Sequence, residues 1–261
     1  MNTIGIITTV WNQPDFLKIH LDFLSKQTKQ PDRVVIIDDY SDPDMMKSHR
    51  EIAESHGCWF VSINYFGEPK IYRRAQAMNA GLSVIDTDYI IVSCADFLYP
   101  EWFCEKVYEF MERYVNVIPC FKVWEVDSPD NLIRKRYYGE GNPINWSTTN
   151  NLIALRDGIG FDGPYCLRRD HPVFFPPKWI GYGEDNYYMA FQLMSKGLFI
   201  VALEDIYCYH LKHEKTEVSQ HNPEFQKIKE HLEDERLKSW LMNNDHRIAP
   251  IKLGELDRSV L

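Results

Sequence analysis

The chain has 261 residues, enough for one large domain or one domain with a small appendage. Hydrophobic residues at 44% and charged residues at 26% exclude a disordered chain. The net charge of -9 argues against tight nucleic-acid binding, because phosphate backbones ask for a basic surface.

The amino terminus has no basic stretch followed by a long apolar one, so no signal peptide is expected. No run of roughly 18 apolar residues occurs, so no membrane-spanning helix is expected either. Together these point to a cytoplasmic protein, free or peripheral at a membrane. The six cysteines, Cys58, Cys94, Cys104, Cys120, Cys166 and Cys208, are scattered without a C-x-x-C pair. They read as free thiols rather than as disulfides or a zinc site. Aromatic residues reach 14%, which suits both core packing and stacking on sugars or bases.

In chain order, Thr3–Thr9 is a β-branched run that predicts a buried strand. Pro14 and Asp15 open a helix in which Phe16, Ile19 and Phe23 share a face, with Leu17, Leu21 and Leu24 beside them. Arg33–Ile37 predicts a second strand, ending in Asp38 and Asp39, and a polar helix spans about Pro43 to His56. Cys58–Ile63 predicts a third strand, Tyr72–Ile85 a helix, and Tyr89–Val92 a fourth strand that runs into Cys94-Ala95-Asp96. Strands alternating with helices predict a mostly parallel α/β sheet with right-handed crossovers. Ligands of such sheets bind beyond the carboxyl ends of the strands. That places Asp38, Asp39 and Asp96 at the binding edge.

The second half is less regular. Pro100–Tyr114 predicts a helix, and Val115–Val126 and Ile133–Tyr137 predict strands. Gly139 to Gly163, rich in Gly, Asn, Pro and Thr and carrying Trp146, Asn150 and Asn151, predicts a long loop that could close over a ligand. Glu184–Lys196 predicts a helix stopped by Gly197, Leu198–Leu203 a strand, and Pro223–Met242 a charged helix.

Four groups of residues could carry chemistry. Asp38-Asp39-Tyr40-Ser41-Asp42 follows an apolar strand, where acids accept bonds from a base or a ribose but also cap the next helix. Asp96 follows the fourth strand, where a carboxylate could hold a divalent ion against a diphosphate or could cap a helix. Gly181-Tyr182-Gly183-Glu184-Asp185 sets acids at a helix start, where they suit the helix dipole or serve as a general base. His210-Leu211-Lys212-His213 has a spacing that could put one imidazole on a metal or a phosphate, against the alternative of a solvated surface histidine.

The order of these groups resembles family 2 glycosyltransferases. The resemblance is carried by Leu24-Ser25-Lys26-Gln27-Thr28, by Val34-Val35-Ile36-Ile37-Asp38-Asp39-Tyr40-Ser41-Asp42, and by Ala77-Met78-Asn79-Ala80-Gly81-Leu82. Asp88-Tyr89-Ile90-Ile91-Val92 continues it, and Cys94-Ala95-Asp96 stands at the place of that family's D-x-D motif. Gly181 to Asp185 with Lys196-Gly197 is similar to its acceptor-half segment, and His210 stands at its late metal- or phosphate-contacting histidine. Three positions depart from the pattern: Cys94 replaces the first acid, Met78 an arginine, and Thr8 a proline.

The resemblance implies a GT-A fold and inverting transfer of a sugar from a nucleotide-sugar, most simply a UDP-sugar, to an acceptor hydroxyl on a glycan or other molecule. It implies a catalytic domain over residues 1–215, with a nucleotide half at 1–100 and an acceptor half at 101–215, and a helical extension at 216–261. By position, Asp185 would be the base with Glu184 close by. Asp96 and His210 would hold Mn2+ or Mg2+. Thr8, Thr9, Asn12, Asp38, Asp39, Arg73, Arg74, Asn79, Ala95 and Asp96 would surround the nucleotide-sugar. A relative that keeps the fold but has lost turnover is the alternative, raised by Cys94.

Overall fold

A computed structural model describes residues 1–64, 73–130, 132, 136–137, 159–171, 173–175, 198–213 and 250–251. Among the described residues the first half is β1 (Ile4–Val10), α1 (Pro14–Leu24), β2 (Arg33–Asp39), α2 (Pro43–Ser55), β3 (Trp59–Ile63), α3 (Arg74–Val84) and β4 (Tyr89–Cys94). Then come β5 (Phe97–Leu98), α4 (Phe103–Arg113), β6 (Val117–Val126), β7 (Arg136–Tyr137), β8 (Ile159–Arg168), β9 (Phe199–Leu211) and β10 (Pro250–Ile251). One sheet takes the order β10-β9-β6-β8-β4-β1-β2-β3, with β5 on β9 and β7 on β6.

The expected mostly parallel sheet is present. β1 pairs in parallel with both β2 and β4, β2 with β3, and β6 with β9. β8 runs against both of its neighbours, β4 and β6. No helix among the described residues is long and apolar enough to cross a membrane.

β1 is buried along its whole length because helices cover both faces of the sheet. Alternation sends Ile4, Ile6 and Val10 to one face, packed with α1, α2 and α4, and Ile7 to the other, packed with α3. Gly81 lets α3 lie directly on β1, since a Cβ there would sit 2.4 Å from Ile7 Cγ2.

α1 starts with Pro14 in its first turn, where the missing N–H costs no helical bond. Its buried residues are Leu17, His20, Leu21 and Leu24, one helical stripe. Phe16, Ile19 and Phe23 share the neighbouring face and pack on a side cluster of Leu98, Val126, Tyr209 and Leu211. Gln27, just past α1, is buried. Its amide donates to the Pro100 carbonyl at 2.8 Å and accepts from Cys104 N–H at 3.0 Å, so it satisfies the start of α4 from outside the helix.

The structure revises two expectations in the second half. The Gly139–Gly163 loop ends early, because β8 begins at Ile159, where Ile159 and Gly160 pair with Lys122 and Phe121. Residues 138–158, Trp146, Asn150 and Asn151 included, lie outside the described residues. The Leu198–Leu203 strand continues to Leu211 past a register shift that steps from Leu203 to Tyr207. The polar pair Glu204-Asp205 at that shift hid the continuity. The helices expected at 184–196 and 223–242 also lie outside the described residues.

None of the six cysteines is in a disulfide. Burial pushes the Cys104 thiol up to about 12, which leaves it unreactive.

His20 is fully enclosed, and burial lowers it to about 4 against the opposing pull of the Phe97 carbonyl and the Asp96 charge. The folded chain therefore keeps it neutral, while the unfolded chain protonates it below about pH 6.5. Its share of stability is complete above that pH and is lost as pH falls toward 4. His20→Leu should flatten the fall of stability with acid by up to about 1.4 kcal/mol per pH unit in that window. Urea denaturation at stepped pH measures the slope.

Candidate functional site

The carboxyl edge of the sheet brings together the ends of β1, β2, β4 and β9. β1 and β2 are joined through Asn12. Its backbone N–H donates to Ser41 Oγ at 3.0 Å, and its Oδ1 accepts from Asp42 N–H at 2.8 Å. Asn12 and Tyr40 both hold positive φ, 52° and 62°, so both turns are tight. Asparagine tolerates that region well. Tyrosine does so at roughly 1–2 kcal/mol, borne by the surrounding packing.

Asp38 and Asp39 are consecutive strand residues, so they point to opposite faces. Asp38 is fully buried on the α2 side. One carboxylate oxygen accepts from Ser41 N–H at 3.1 Å and the other bonds His49 Nδ1 at 2.7 Å. His49 Nε2 accepts from Gln13 N–H at 3.2 Å, which fixes the tautomer with the proton on Nδ1. One buried pair thus ties β2, α2 and the start of α1. Asp39 faces the other way and accepts from the Arg73 backbone N–H, just before α3. Arg73 and Arg74 are both buried here.

The remaining nucleotide-side candidates divide the same way. Thr8 turns toward α1 and bonds His20 Nε2 at 2.9 Å. Thr9 turns away and reaches the Ser93 carbonyl at 3.3 Å and Cys94 Sγ at 3.4 Å. Ala95 is buried, and its N–H donates to the Thr9 carbonyl at 3.1 Å. Asn79 clamps the main chain of Phe175 from both sides, at 2.9 Å each.

The last group is the densest in chemistry. β5 follows β4 by two residues, yet pairs antiparallel with β9, Phe97 opposite His210 and Leu98 opposite Tyr209. β9 lies three places from β4 in the sheet, so this pairing curls the sheet and carries Asp96 to the end of β9. There Asp96 Oδ2 meets His213 Nε2 at 3.1 Å and His210 Nε2 at 3.4 Å. The three donor atoms lie within 4.8 Å of one another, and Asp96 Oδ1 is buried without a hydrogen-bond partner among the described residues. Burial alone would raise Asp96, but hydrogen bonds from His210 and His213 and their charge outweigh it and hold the carboxyl well below the usual carboxylate range. Phe97 packs on the His210 ring at 5.3 Å and Phe16 on the His213 ring at 5.9 Å. One carboxylate and two imidazoles are a donor set that fits a divalent transition metal.

His213 was the residue that sequence reasoning passed over. The H-x-x-H spacing was its signal, and it converges with His210 past the end of β9 at Leu211. Cys94 lies outside the donor cluster. Asp185 and Glu184 lie outside the described residues.

A curled, mostly parallel sheet flanked by helices is the fold of the GT-A glycosyltransferases. The family model for glycosyl transferase family 2 matches residues 5–173, and the chain belongs to that family. A search among curated proteins finds no match. The structure of S. aureus TarS 1–349 in complex with UDP-GlcNAc is similar with a TM-score of 0.63 at 15% identity, covering 94% of this chain and 71% of that one. Against another TarS structure the TM-score is 0.57 at 12% identity; the match covers 92% of this chain, which spans 39% of that one. Glucosyl-3-phosphoglycerate synthase from Mycobacterium tuberculosis, in complex with Mn2+, UDP and phosphoglyceric acid, is similar with a TM-score of 0.52 at 14% identity, covering 92% and 78%. At such identities the likeness is one of fold.

His49→Leu leaves the buried Asp38 carboxylate with the Ser41 N–H alone and takes the acceptor from the Gln13 N–H. It should destabilise the protein by about 3–5 kcal/mol, the usual cost of breaking a buried pair. Chemical denaturation of the two proteins compares them directly.

Proposed function

We propose that the protein is an inverting glycosyltransferase that moves a sugar from a UDP-sugar to an acceptor hydroxyl. The observation that carries this reading is the convergence of Asp96, His210 and His213 at the carboxyl edge of a family 2 sheet, beside the preformed β1–β2 rim. The UDP in the similar TarS and synthase structures supports the choice of nucleotide, and the Mn2+ in the latter supports a metal.

In this reading Asp39, with Thr9 and Asn12 near it, receives the base and ribose, and Arg73 or Arg74 faces the base or the diphosphate. Asp96, His210 and His213 hold Mn2+ or Mg2+, which supplies positive charge at the diphosphate when bound. Asp185, with Glu184 beside it, takes the proton of the acceptor hydroxyl. The acceptor oxygen bonds to the anomeric carbon from the face opposite the nucleotide. The bond to the diphosphate oxygen breaks, and a nucleoside diphosphate leaves. The protein works in the cytoplasm, free or peripheral at a membrane, on a glycan or another hydroxyl-bearing molecule.

Cys94 in place of an acid favours one other reading, a nucleotide-sugar-binding protein with weakened turnover. UDP-sugar binding with neither transfer nor hydrolysis would select it.

Asp185→Asn should lower transfer by about 10²–10⁴-fold, the range of a general base, and leave UDP affinity nearly unchanged. Equal loss of both would remove Asp185 from this role. Asp96→Asn should abolish the part of UDP binding that depends on Mn2+. Calorimetric titration with Mn2+ and with EDTA reads it, and identical curves in the wild-type protein would exclude the metal.

A further inference from the structure

We infer that His20 is a positioning residue that sets the Asp96 carboxylate against His210 and His213. This rests on the reading of those three residues as the metal-binding group.

His20 stands on the buried stripe of α1, between Leu17 and Leu21, where an apolar side chain is the cheaper choice. Its Nδ1 lies 2.6 Å from the Phe97 carbonyl oxygen. A carbonyl only accepts, so Nδ1 carries the proton. Nε2 is then the acceptor for the Thr8 hydroxyl at 2.9 Å. The ring is thus a neutral spacer between β1 and the Phe97 carbonyl, one peptide beyond Asp96. Tyr99 packs edge-on against it at 5.7 Å and removes its freedom to turn.

The main chain around Asp96 is held at three points. Ala95 N–H bonds the Thr9 carbonyl at 3.1 Å, the Asp96 carbonyl accepts from Leu211 N–H at 2.8 Å, and the Phe97 carbonyl accepts from His20. The first two are backbone bonds that many side chains would permit. The third comes from a side chain, and it is the one that can be edited without touching the donor cluster. With all three in place, the main chain at Asp96, and with it the direction of its Cα–Cβ bond, is set before any ion arrives. Groups that hydrogen-bond a metal ligand directly typically alter metal affinity by about 10–100-fold, and His20, acting one residue away through the main chain, should fall at or below the lower end of that range.

The test compares His20→Leu, His20→Asn and wild type. Asparagine keeps a donor near the position of Nδ1, and leucine keeps volume without one. The first readout is the ring resonances of His210 and His213 in the metal-free protein. They should shift in His20→Leu and return toward wild type in His20→Asn. The second is UDP titration with Mn2+ and with EDTA. His20→Leu should weaken the Mn2+-dependent part by up to about 10-fold, with the EDTA curve unchanged and asparagine restoring most of the loss. Should His20→Leu fail to fold, Thr8→Val removes the bond on the other side of the ring and should move both readouts in the same direction. Unshifted His210 and His213 resonances, or equal effects of leucine and asparagine, overturn the inference. Wild-type UDP binding that ignores Mn2+ overturns the metal reading instead, and the ring resonances then decide the role of His20 alone.

Discussion

Two residues of β5 bond to the end of β9, and the candidate site depends on that contact. In an open sheet the loop after β4 and the end of β9 would lie apart, with β8 and β6 between them. Pairing Phe97 with His210 and Leu98 with Tyr209 closes that distance. The pairing is short, but both residues of β5 are buried, and Phe97 packs on the ring it positions. Backbone bonds and apolar burial thus perform together what neither would with two residues alone.

Around this closure the protein places polar side chains where apolar ones would be expected, and each is bonded at two ends. His20 joins β1 to the Asp96 turn, His49 joins β2 to the start of α1, Gln27 joins the end of α1 to α4, and Asn79 joins α3 to Phe175. A satisfied buried polar group adds little net stability, whereas a broken one costs much. Such ties therefore discriminate among packings more than they hold any one of them together. Two of them, His20 and His49, hold segments next to the carboxyl edge, where ligands would bind.

Much of the first hundred residues was legible because each element announces itself. β-branched runs gave β1, β2 and β4, Pro14 and Pro43 opened α1 and α2, and the order of alternation predicted a parallel sheet. Which acids share a face was also implicit in strand period, since Asp38 and Asp39 had to diverge. What could not be read was non-local. Nothing in Phe97-Leu98 says that they pair with residues more than a hundred positions later, so His213 stayed one ambiguous imidazole of an H-x-x-H. His20 fits the helical stripe of Leu17, Leu21 and Leu24, and only contact with Thr8 and Phe97 turns it from a filler into a tie. β9 was cut short in the reading because Glu204 and Asp205 interrupt its apolar run at the shift in register.

The two left-handed residues at the rim, Asn12 and Tyr40, have a thermodynamic meaning. Each is locked by the neighbouring turn, so neither loop is waiting to be ordered. The conformational entropy of that surface is surrendered when the chain folds, not when a ligand arrives. Affinity there should accordingly respond more to what the ligand is made of than to how the loops are restrained. A stiffening substitution in this rim would have little left to stiffen.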